Sequence, residues 1–298
     1  MSADRLRGAP VATDVREGVR ERVAALREEG TVPTLATVLM SAAESDVRFV
    51  ELKHEACEAV GIESRDVRVP ADAPPDRLHE AIGRCSADEV VDAVFVQAPL
   101  PDYVPEMGVR TRVTPEKDVD AFHPETLGRL LAGDPTFVPA TTAAVGRLLD
   151  AHGLSVAGRD VVVVGRSKTI GRPLANHLLR RGAGGDATVT VCHSRTPDLA
   201  SHTRRADVIV TAAGVPGLVD GSMLSPGAVV VDVSANRRPA DTDRGYEVVG
   251  DVDLESVREV ASAFTPVPGG VGPVTLAALL GNVTLAAERR VGEDDAEA

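Results

Sequence analysis

The sequence predicts an α/β protein of two domains. Helical and strand-like apolar patterns alternate along the chain in two series with a break near residue 140, and the strand candidates of the second series are short, β-branched and followed by Gly- or Ser-bearing turns. In the first series Val15, Val19, Val23 and Leu26 fall at helical spacing and predict a helix over 14–29. Residues 34–40 form a short apolar strand. Ser45 then stands as the N-cap of a helix running to about Val60, with Gly61 in a helix-stopping position. Strands over 66–69 and 92–96 flank a helix over 75–84, so helix and strand alternate and a parallel sheet is expected.

A helix over 142–152, stopped by Gly153, opens the second series. Its strands are expected at 160–164, 188–192, 208–211 and 229–233, an arrangement suited to a doubly wound sheet. After Phe264 the run Thr265-Pro266-Val267-Pro268-Gly269-Gly270-Val271-Gly272-Pro273 reads as a rigid loop, followed by a last helix over 274–290 that can return to the first domain. The acidic tail 292–298, without large apolar residues, is expected to be disordered. The expected domains are 1–139 completed by 265–298, and 140–264 between them.

At 298 residues and 43% hydrophobic content, each domain can bury its own core. The first thirty residues hold no apolar segment of signal-peptide length, and about 18 apolar residues never run together, so a soluble, cytoplasmic protein without a membrane span is expected. Cys57, Cys85 and Cys192 are widely spaced within apolar stretches, which suits core residues rather than disulfides or a metal site. The net charge of −13 argues against nucleic acid or an anionic membrane as partner. Only three lysines occur among 32 basic residues: Lys53, Lys117 and Lys168. An acidic, lysine-poor chain fits a salt-loaded cytoplasm; a GC-rich genome is the alternative source of the arginine bias.

The stretch Val161-Val162-Val163-Val164-Gly165-Arg166-Ser167-Lys168-Thr169-Ile170-Gly171 is a buried strand, a glycine-flanked turn and a helix start, where backbone N–H groups can face a phosphate. Its spacing departs from GxGxxG, and an ordinary strand-to-helix turn is the alternative. The next strand ends in Cys192-His193-Ser194-Arg195, with no carboxylate for the ribose hydroxyls of NAD. Arg195 and Arg166 are instead suited to a 2′-phosphate, which favours NADP.

Further motifs extend over nearly the whole chain. Phe49, Lys53 and Ala56-Cys57-Glu58 lie on one helix; Val96-Gln97-Ala98-Pro99-Leu100-Pro101 follows a strand; Pro115-Glu116-Lys117-Asp118-Val119-Asp120-Ala121-Phe122-His123-Pro124 forms a loop; and Pro266-Val267-Pro268-Gly269-Gly270-Val271-Gly272-Pro273 precedes the last helix. In this order they resemble the bifunctional methylenetetrahydrofolate dehydrogenase/methenyltetrahydrofolate cyclohydrolase family. The resemblance implies an α/β catalytic domain, a Rossmann-like NADP-binding domain with a parallel sheet, tetrahydrofolate derivatives as substrates and a homodimer. It further implies that Gly165, Arg166, Ser167, Ser194, Arg195 and Ala235 lie along the cofactor, and that Phe49, Pro268, Gly269 and Gly270 lie along the folate.

The chemistry agrees. Hydrolysis of a methenyl-folate needs water at an iminium carbon and a group that exchanges protons near neutrality, a task suited to an amine whose pKa an apolar pocket lowers. Lys53 is the candidate, with a snorkelling surface lysine as the alternative. Gln97 can orient that amine, or be a routine strand-end polar residue. Asp120 can accept hydrogen bonds from the pterin, or simply make an Asx turn before Pro124. In the dehydrogenase step the substrate carbon gives a hydride to the nicotinamide, and the protein aligns the two rings. The chain departs from the family pattern at Phe49 (tyrosine), Ala98 (leucine), Ala121 (glycine), at Ser234-Ala235 (glycine-isoleucine) and at Pro139-Ala140-Thr141-Thr142 (P-C-T-P). Rival readings are a dehydrogenase-only folate enzyme, a shikimate- or amino-acid-dehydrogenase-like oxidoreductase, and a non-catalytic NADP sensor.

Overall fold

The computed structural model describes residues 3–242 and 245–297, the last five by backbone alone. In chain order they form β1 (Asp4–Arg5), α1 (Gly8–Glu28), β2 (Thr34–Leu39), α2 (Glu44–Glu58), β3 (Glu63–Arg68), α3 (Pro75–Ala87), β4 (Ala93–Val96), α4 (Glu106–Arg110), α5 (Pro124–Ala132) and α6 (Ala140–Ala151). There follow β5 (Asp160–Val164), α7 (Gly171–Leu179), β6 (Thr188–Cys192), α8 (Leu199–Thr203), β7 (Val208–Thr211), β8 (Val229–Asp232), β9 (Asn236–Pro239), β10 (Tyr246–Val249), α9 (Leu254–Val257), β11 (Ala263–Phe264) and α10 (Val271–Glu297).

The chain divides into two compact units. One joins the residues up to Ala12 with Thr141–Thr275; the other joins Thr13–Ala140 with the segment from Leu276 onward. The expected boundaries therefore need correcting at two places. The N-terminal residues belong with the nucleotide-type sheet because β1 pairs in parallel with β11, and the Gly8 N–H donates to Gly269 O at 2.9 Å. The loop 265–275 stays in that unit for the same reason, and the last helix changes units at residue 276.

In the unit containing 141–275, six parallel strands run in the order β1-β11-β8-β7-β5-β6. The runs of valine in β5 and β8 are buried throughout, as a sheet covered on both faces requires. One face packs Val162, Val164, Ile209, Val230 and Phe264 into a single core. Its central strand β5 has β6 on one side and β7 on the other, so the chain reverses its direction of winding there. The carboxyl ends of strands at such a reversal leave a crevice. An antiparallel hairpin of β9 and β10 forms a separate small sheet in this unit.

In the other unit β2 lies between β3 and β4 in a parallel sheet, and all six of its residues are buried. Ala36, Val38, Met40, Leu78, Ile82 and Val94 form the core between this sheet and α3. Helix α10 contributes the buried Ala278, Leu280, Val283 and Ala287. The Asn282 amide of α10 donates to Val119 O at 2.8 Å and Val138 O at 2.9 Å, which anchors the loop before α5. By length and composition residues Val271–Gly292 pass as a membrane span, but 56% of that window is buried inside the protein, as in a core helix.

Several local expectations change. Helix α2 begins at Glu44 with Ala43 as its N-cap, so Ser45 lies inside the first turn and does not cap it. The Ser41 hydroxyl, donating to Asp46 at 2.6 Å and accepting from Ala43 N at 3.2 Å, organises that entry instead. Helix α10 starts at Val271 rather than 274, since proline is tolerated in a first turn whose N–H groups have no helical partner. Its backbone continues as helix to Glu297. Ala298 lies outside the described residues. The three cysteines are free and buried, and burial pushes the Cys57 thiol up to about 12.

Candidate functional site

In the unit built on β2, the chain reversal again falls at the central strand, and two elements deliver polar groups to its carboxyl end. Gln97 follows β4 directly, and its N–H donates to Val38 O at 2.9 Å, prolonging the pairing with β2. Its side chain is buried, its Nε2 donates to Ala98 O at 2.6 Å, and its Oε1 accepts from Lys53 Nζ at 2.9 Å. Lys53 comes from α2, and its amine also donates to Phe49 O at 3.2 Å. Phe49 and Lys53, four apart, lie on one helical face, and the Phe49 residue is 52% exposed.

Burial pushes the Lys53 amine below its ordinary value, opposed by the charge of Asp120 and by Cys57. Asp120 keeps part of its surface open, yet it is so closely surrounded by protein that burial, and then Asp118, push its carboxyl up to about 7; Lys53 and Arg110 pull the other way. The Arg110 guanidinium is buried, pairs with Glu106, donates to Phe122 O at 3.2 Å and lies 4.6 Å from the centroid of the Phe122 ring. The local turn that stood as the alternative role for Asp120 belongs to Asp118, whose carboxylate accepts from Phe122 N at 3.1 Å and His123 N at 2.7 Å. These bonds hold Ala121 at φ +57, a left-handed conformation that explains why the resembling family has glycine at this position. The structure thus gathers Lys53, Gln97 and Asp120 into one charged, partly dry site.

In the other unit a cavity of 430 Å³ opens at the carboxyl ends of β5, β6 and β7, where the winding reverses. Gly165, Arg166 and Ser167 line it from the first turn, His193, Ser194 and Thr196 from the second, and Ala212, Ala213 and Val215 from the third. Gly165 has φ +135, and a Cβ there would lie 2.3 Å from Ala212 O; a Cβ on Gly171 would lie 2.2 Å from Gly165 O. The glycines therefore let three backbone segments close around the turn. Ser167 Oγ accepts from Ile170 N at 3.0 Å and Gly171 N at 3.3 Å, so it caps the entry to α7. Arg195 follows Ser194 but is exposed and does not line the cavity, and the same holds for Ala235. Pro268 borders a separate cavity with Tyr246 and Val249, while Gly269, at φ +105, accepts from Gly8 N and Gly270 is buried.

Sequence reasoning missed Asp251. Its fully buried carboxylate accepts from Ala213 N at 2.6 Å, Val215 N at 2.7 Å, Ser234 Oγ at 2.7 Å and Asn236 Nδ2 at 3.0 Å. It thereby ties the Ala213–Val215 wall of the cavity to the segment around Ala235. Nearby, Asp232 is pushed up to about 6, chiefly by burial. An Asp beside a glycine carries no local signal of such a role, because its partners lie 15 to 38 residues away.

Both units match known domains. Residues 6–120 match the tetrahydrofolate dehydrogenase/cyclohydrolase catalytic domain, and residues 139–291 match the NAD(P)-binding domain of the same family. The bifunctional protein FolD of Natronomonas pharaonis is 51% identical over 94% of this chain and 94% of its own length. That of Halobacterium salinarum is 50% identical over 96% of each chain. A crystal structure of Trypanosoma brucei N5,N10-methylenetetrahydrofolate dehydrogenase-cyclohydrolase, complexed with NADP cofactor and inhibitor, superposes with a TM-score of 0.92 at 37% identity, covering 98% of this chain and 99% of that one. The chain, matched along both of its domains, belongs to the tetrahydrofolate dehydrogenase/cyclohydrolase family.

Proposed function

We propose that the protein oxidises 5,10-methylenetetrahydrofolate to 5,10-methenyltetrahydrofolate with NADP and hydrolyses the product to 10-formyltetrahydrofolate, a one-carbon donor of the kind purine biosynthesis consumes. The unit of 13–140 and 276–297 binds the folate, and the unit of 141–275 binds the nucleotide. The observation that carries the reading is the Lys53 amine, half-buried and held 2.9 Å from Gln97 beside Asp120 in a unit matching the family's catalytic domain. The protein acts in the cytoplasm as a homodimer, with no nucleic-acid or membrane partner.

In hydrolysis, the uncharged fraction of Lys53 accepts a proton from water as its oxygen bonds to the methenyl carbon. The resulting ammonium returns a proton to the folate nitrogen as its bond to that carbon breaks, and the carbinol hydroxyl releases its remaining proton to solvent as the formyl C=O forms. Gln97 fixes the amine through Oε1, and Asp120 accepts hydrogen bonds from pterin N–H groups. Phe49 lies along the folate. The glycine-lined turn at Gly165, Arg166 and Ser167 fits a dinucleotide, with Ser194, Arg195 and Ala235 further along it. NADP, when bound there, supplies the ring that accepts the hydride.

Incubation with methylenetetrahydrofolate and each nicotinamide cofactor, following methenyl-folate formation and decay, tests the proposal. Formation followed by decay faster than in buffer supports it; formation without accelerated decay leaves a dehydrogenase alone. That second reading is favoured by Phe49, which offers Lys53 a backbone carbonyl and no hydroxyl.

Asp120 should couple binding to stability. An acid with a raised folded pKa favours the protonated state, so its stabilising contribution is complete below the unfolded value near 4 and is lost as pH rises towards about 7. Asp120→Asn is therefore expected to raise the melting temperature at pH 8 and to weaken folate binding. For a unit of this size, stabilisation by about 1 kcal/mol raises Tm by roughly 2–4 °C. Scanning calorimetry and folate titration check both; a lowered Tm at pH 8 would contradict the electrostatic account.

The protein is also adapted to salt. Its net charge is −13, and halophilic organisms are among the sources of the matching relatives. Exposed ion pairs such as Arg48–Glu55, 2.7 Å apart, lose little on screening, whereas the general repulsion is relieved as the screening length falls from roughly 10 Å at 0.1 M to about 3 Å at 1 M. Melting temperature is expected to rise from dilute to molar KCl; an unchanged or lower value would remove the adaptation.

A further inference from the structure

The chain contains five phenylalanines, two tyrosines and three lysines. Two of these few aromatic residues meet one of the three lysines: Phe49 through its carbonyl, and Phe95 through its ring, whose centroid lies 4.4 Å from Lys53 Nζ. Phe95 sits on β4, two residues before Gln97, and strand geometry turns both side chains to the same face. Val94 and Val96, alternating with them, face the apolar core. An ammonium has three N–H donors. Phe49 O and Gln97 Oε1 accept two hydrogen bonds from this amine, and the electron-rich ring face offers the remaining contact.

We propose that Phe95 is a positioning residue for Lys53: its ring holds the ammonium beside Gln97 and supplies, from the strand, a side-chain anchor that the Phe49 side chain does not supply from the helix. The contact matters because the amine is half-buried and otherwise ends a flexible four-carbon stem. The ring attracts the charged amine more than the neutral one, so it also resists the effect of burial on protonation. The other groups that act on this amine are Cys57 and His54 on its own helix and Asp120 opposite, with Asp118 and Arg110 acting on Asp120. Phe95→Leu changes none of these charges.

With only three lysines, protein labelled with 13C at the lysine ε-carbon gives three resolvable side-chain signals, and Lys53→Met assigns one by its loss. Phe95→Leu is expected to remove the ring-current displacement of the Lys53 signal and to lower its titration midpoint by about 0.4–1.5 pH units. Phe95→Tyr should restore both, the Lys168 signal serves as internal reference, and Phe95→Met replaces the leucine variant should that one melt early. A Lys53 signal and midpoint unchanged in the Leu and Met variants would overturn the proposal. The activity arm rests on the proposed role of Lys53 in hydrolysis: the pH profile of methenyl-folate decay should shift by the same amount and in the same direction. If the signal moves and the profile does not, Phe95 positions Lys53 as proposed and the catalytic reading of Lys53 is the one that fails.

Discussion

Replacing Lys53 by methionine is expected to abolish methenyl-folate hydrolysis while hydride transfer stays measurable. Methionine keeps much of the aliphatic stem and deletes the amine, so the donors to Gln97 Oε1 and Phe49 O vanish without opening a large cavity. Loss of a positioned proton-exchanging group costs about 10²–10⁴-fold in rate. Hydride transfer makes no such demand on the amine, because its chemistry lies in the two rings. Removing the cation also takes away the first of the two charges that pull the Asp120 carboxyl down, so Asp120 should titrate above its present value of about 7 in the variant. Stopped-flow decay of methenyl-folate, beside reduction of NADP, separates the activities. Full hydrolysis in Lys53→Met would remove lysine from the mechanism. Phe49→Tyr, which restores a hydroxyl on the same helical face, should maintain or improve hydrolysis.

The inner strands of the nucleotide-type sheet were legible because a strand buried on both faces reads as a continuous β-branched run: residues 160–164 and 208–211 are strands with the same limits in the structure. The edge strand 188–192, of which only Cys192 is buried, was legible from its alternating Thr and Val, which favour a pleated strand. Strands β1 and β11 have two residues each, too few for any periodicity, and only their pairing makes them strands. The hairpin strand Asn236–Pro239 is similarly hidden, since two arginines and a proline argue against a strand when read locally. The boundary expected at 265 lies eleven residues before the one at 276, because nothing local in the rigid Gly-Pro loop shows that Gly269 O ties it to Gly8 N.

The same distinction governs the site. Lys53 was legible from its rarity and its helix, Gln97 from its place at a strand end, and Gly165 from a turn that leaves no room for a Cβ. Phe95, Asp118, Arg110 and Asp251 were not, since each acts through a contact that only the folded chain creates. Asp118 illustrates the limit: two aspartates, two residues apart in one motif, divide the work. Asp118 takes the backbone N–H groups of the turn, and Asp120 is left with a raised pKa beside Lys53. Residue type alone assigns the turn to either.

Arg166→Ala is expected to weaken NADP binding about ten- to hundredfold while changing NAD binding little. Strand β6 ends at Cys192 and leads into His193, Ser194 and Arg195, so no carboxylate stands where NAD-selective sites hold the ribose hydroxyls. A 2′-phosphate in that position needs cations, and a charge-assisted contact is worth roughly 1.5–3 kcal/mol. The structure ranks the two candidates. Arg166 lines the 430 Å³ cavity together with Ser194, whereas Arg195 is exposed and outside its lining. Arg195→Ala should therefore cost less than Arg166→Ala, and high salt should narrow the difference between the cofactors because both arginines are solvent-exposed. Dissociation constants for NADP and NAD, measured on each variant at fixed ionic strength, decide the matter. Equal losses for the two cofactors in Arg166→Ala would show that Arg166 holds the pyrophosphate they share and would move the 2′-phosphate contact to Arg195.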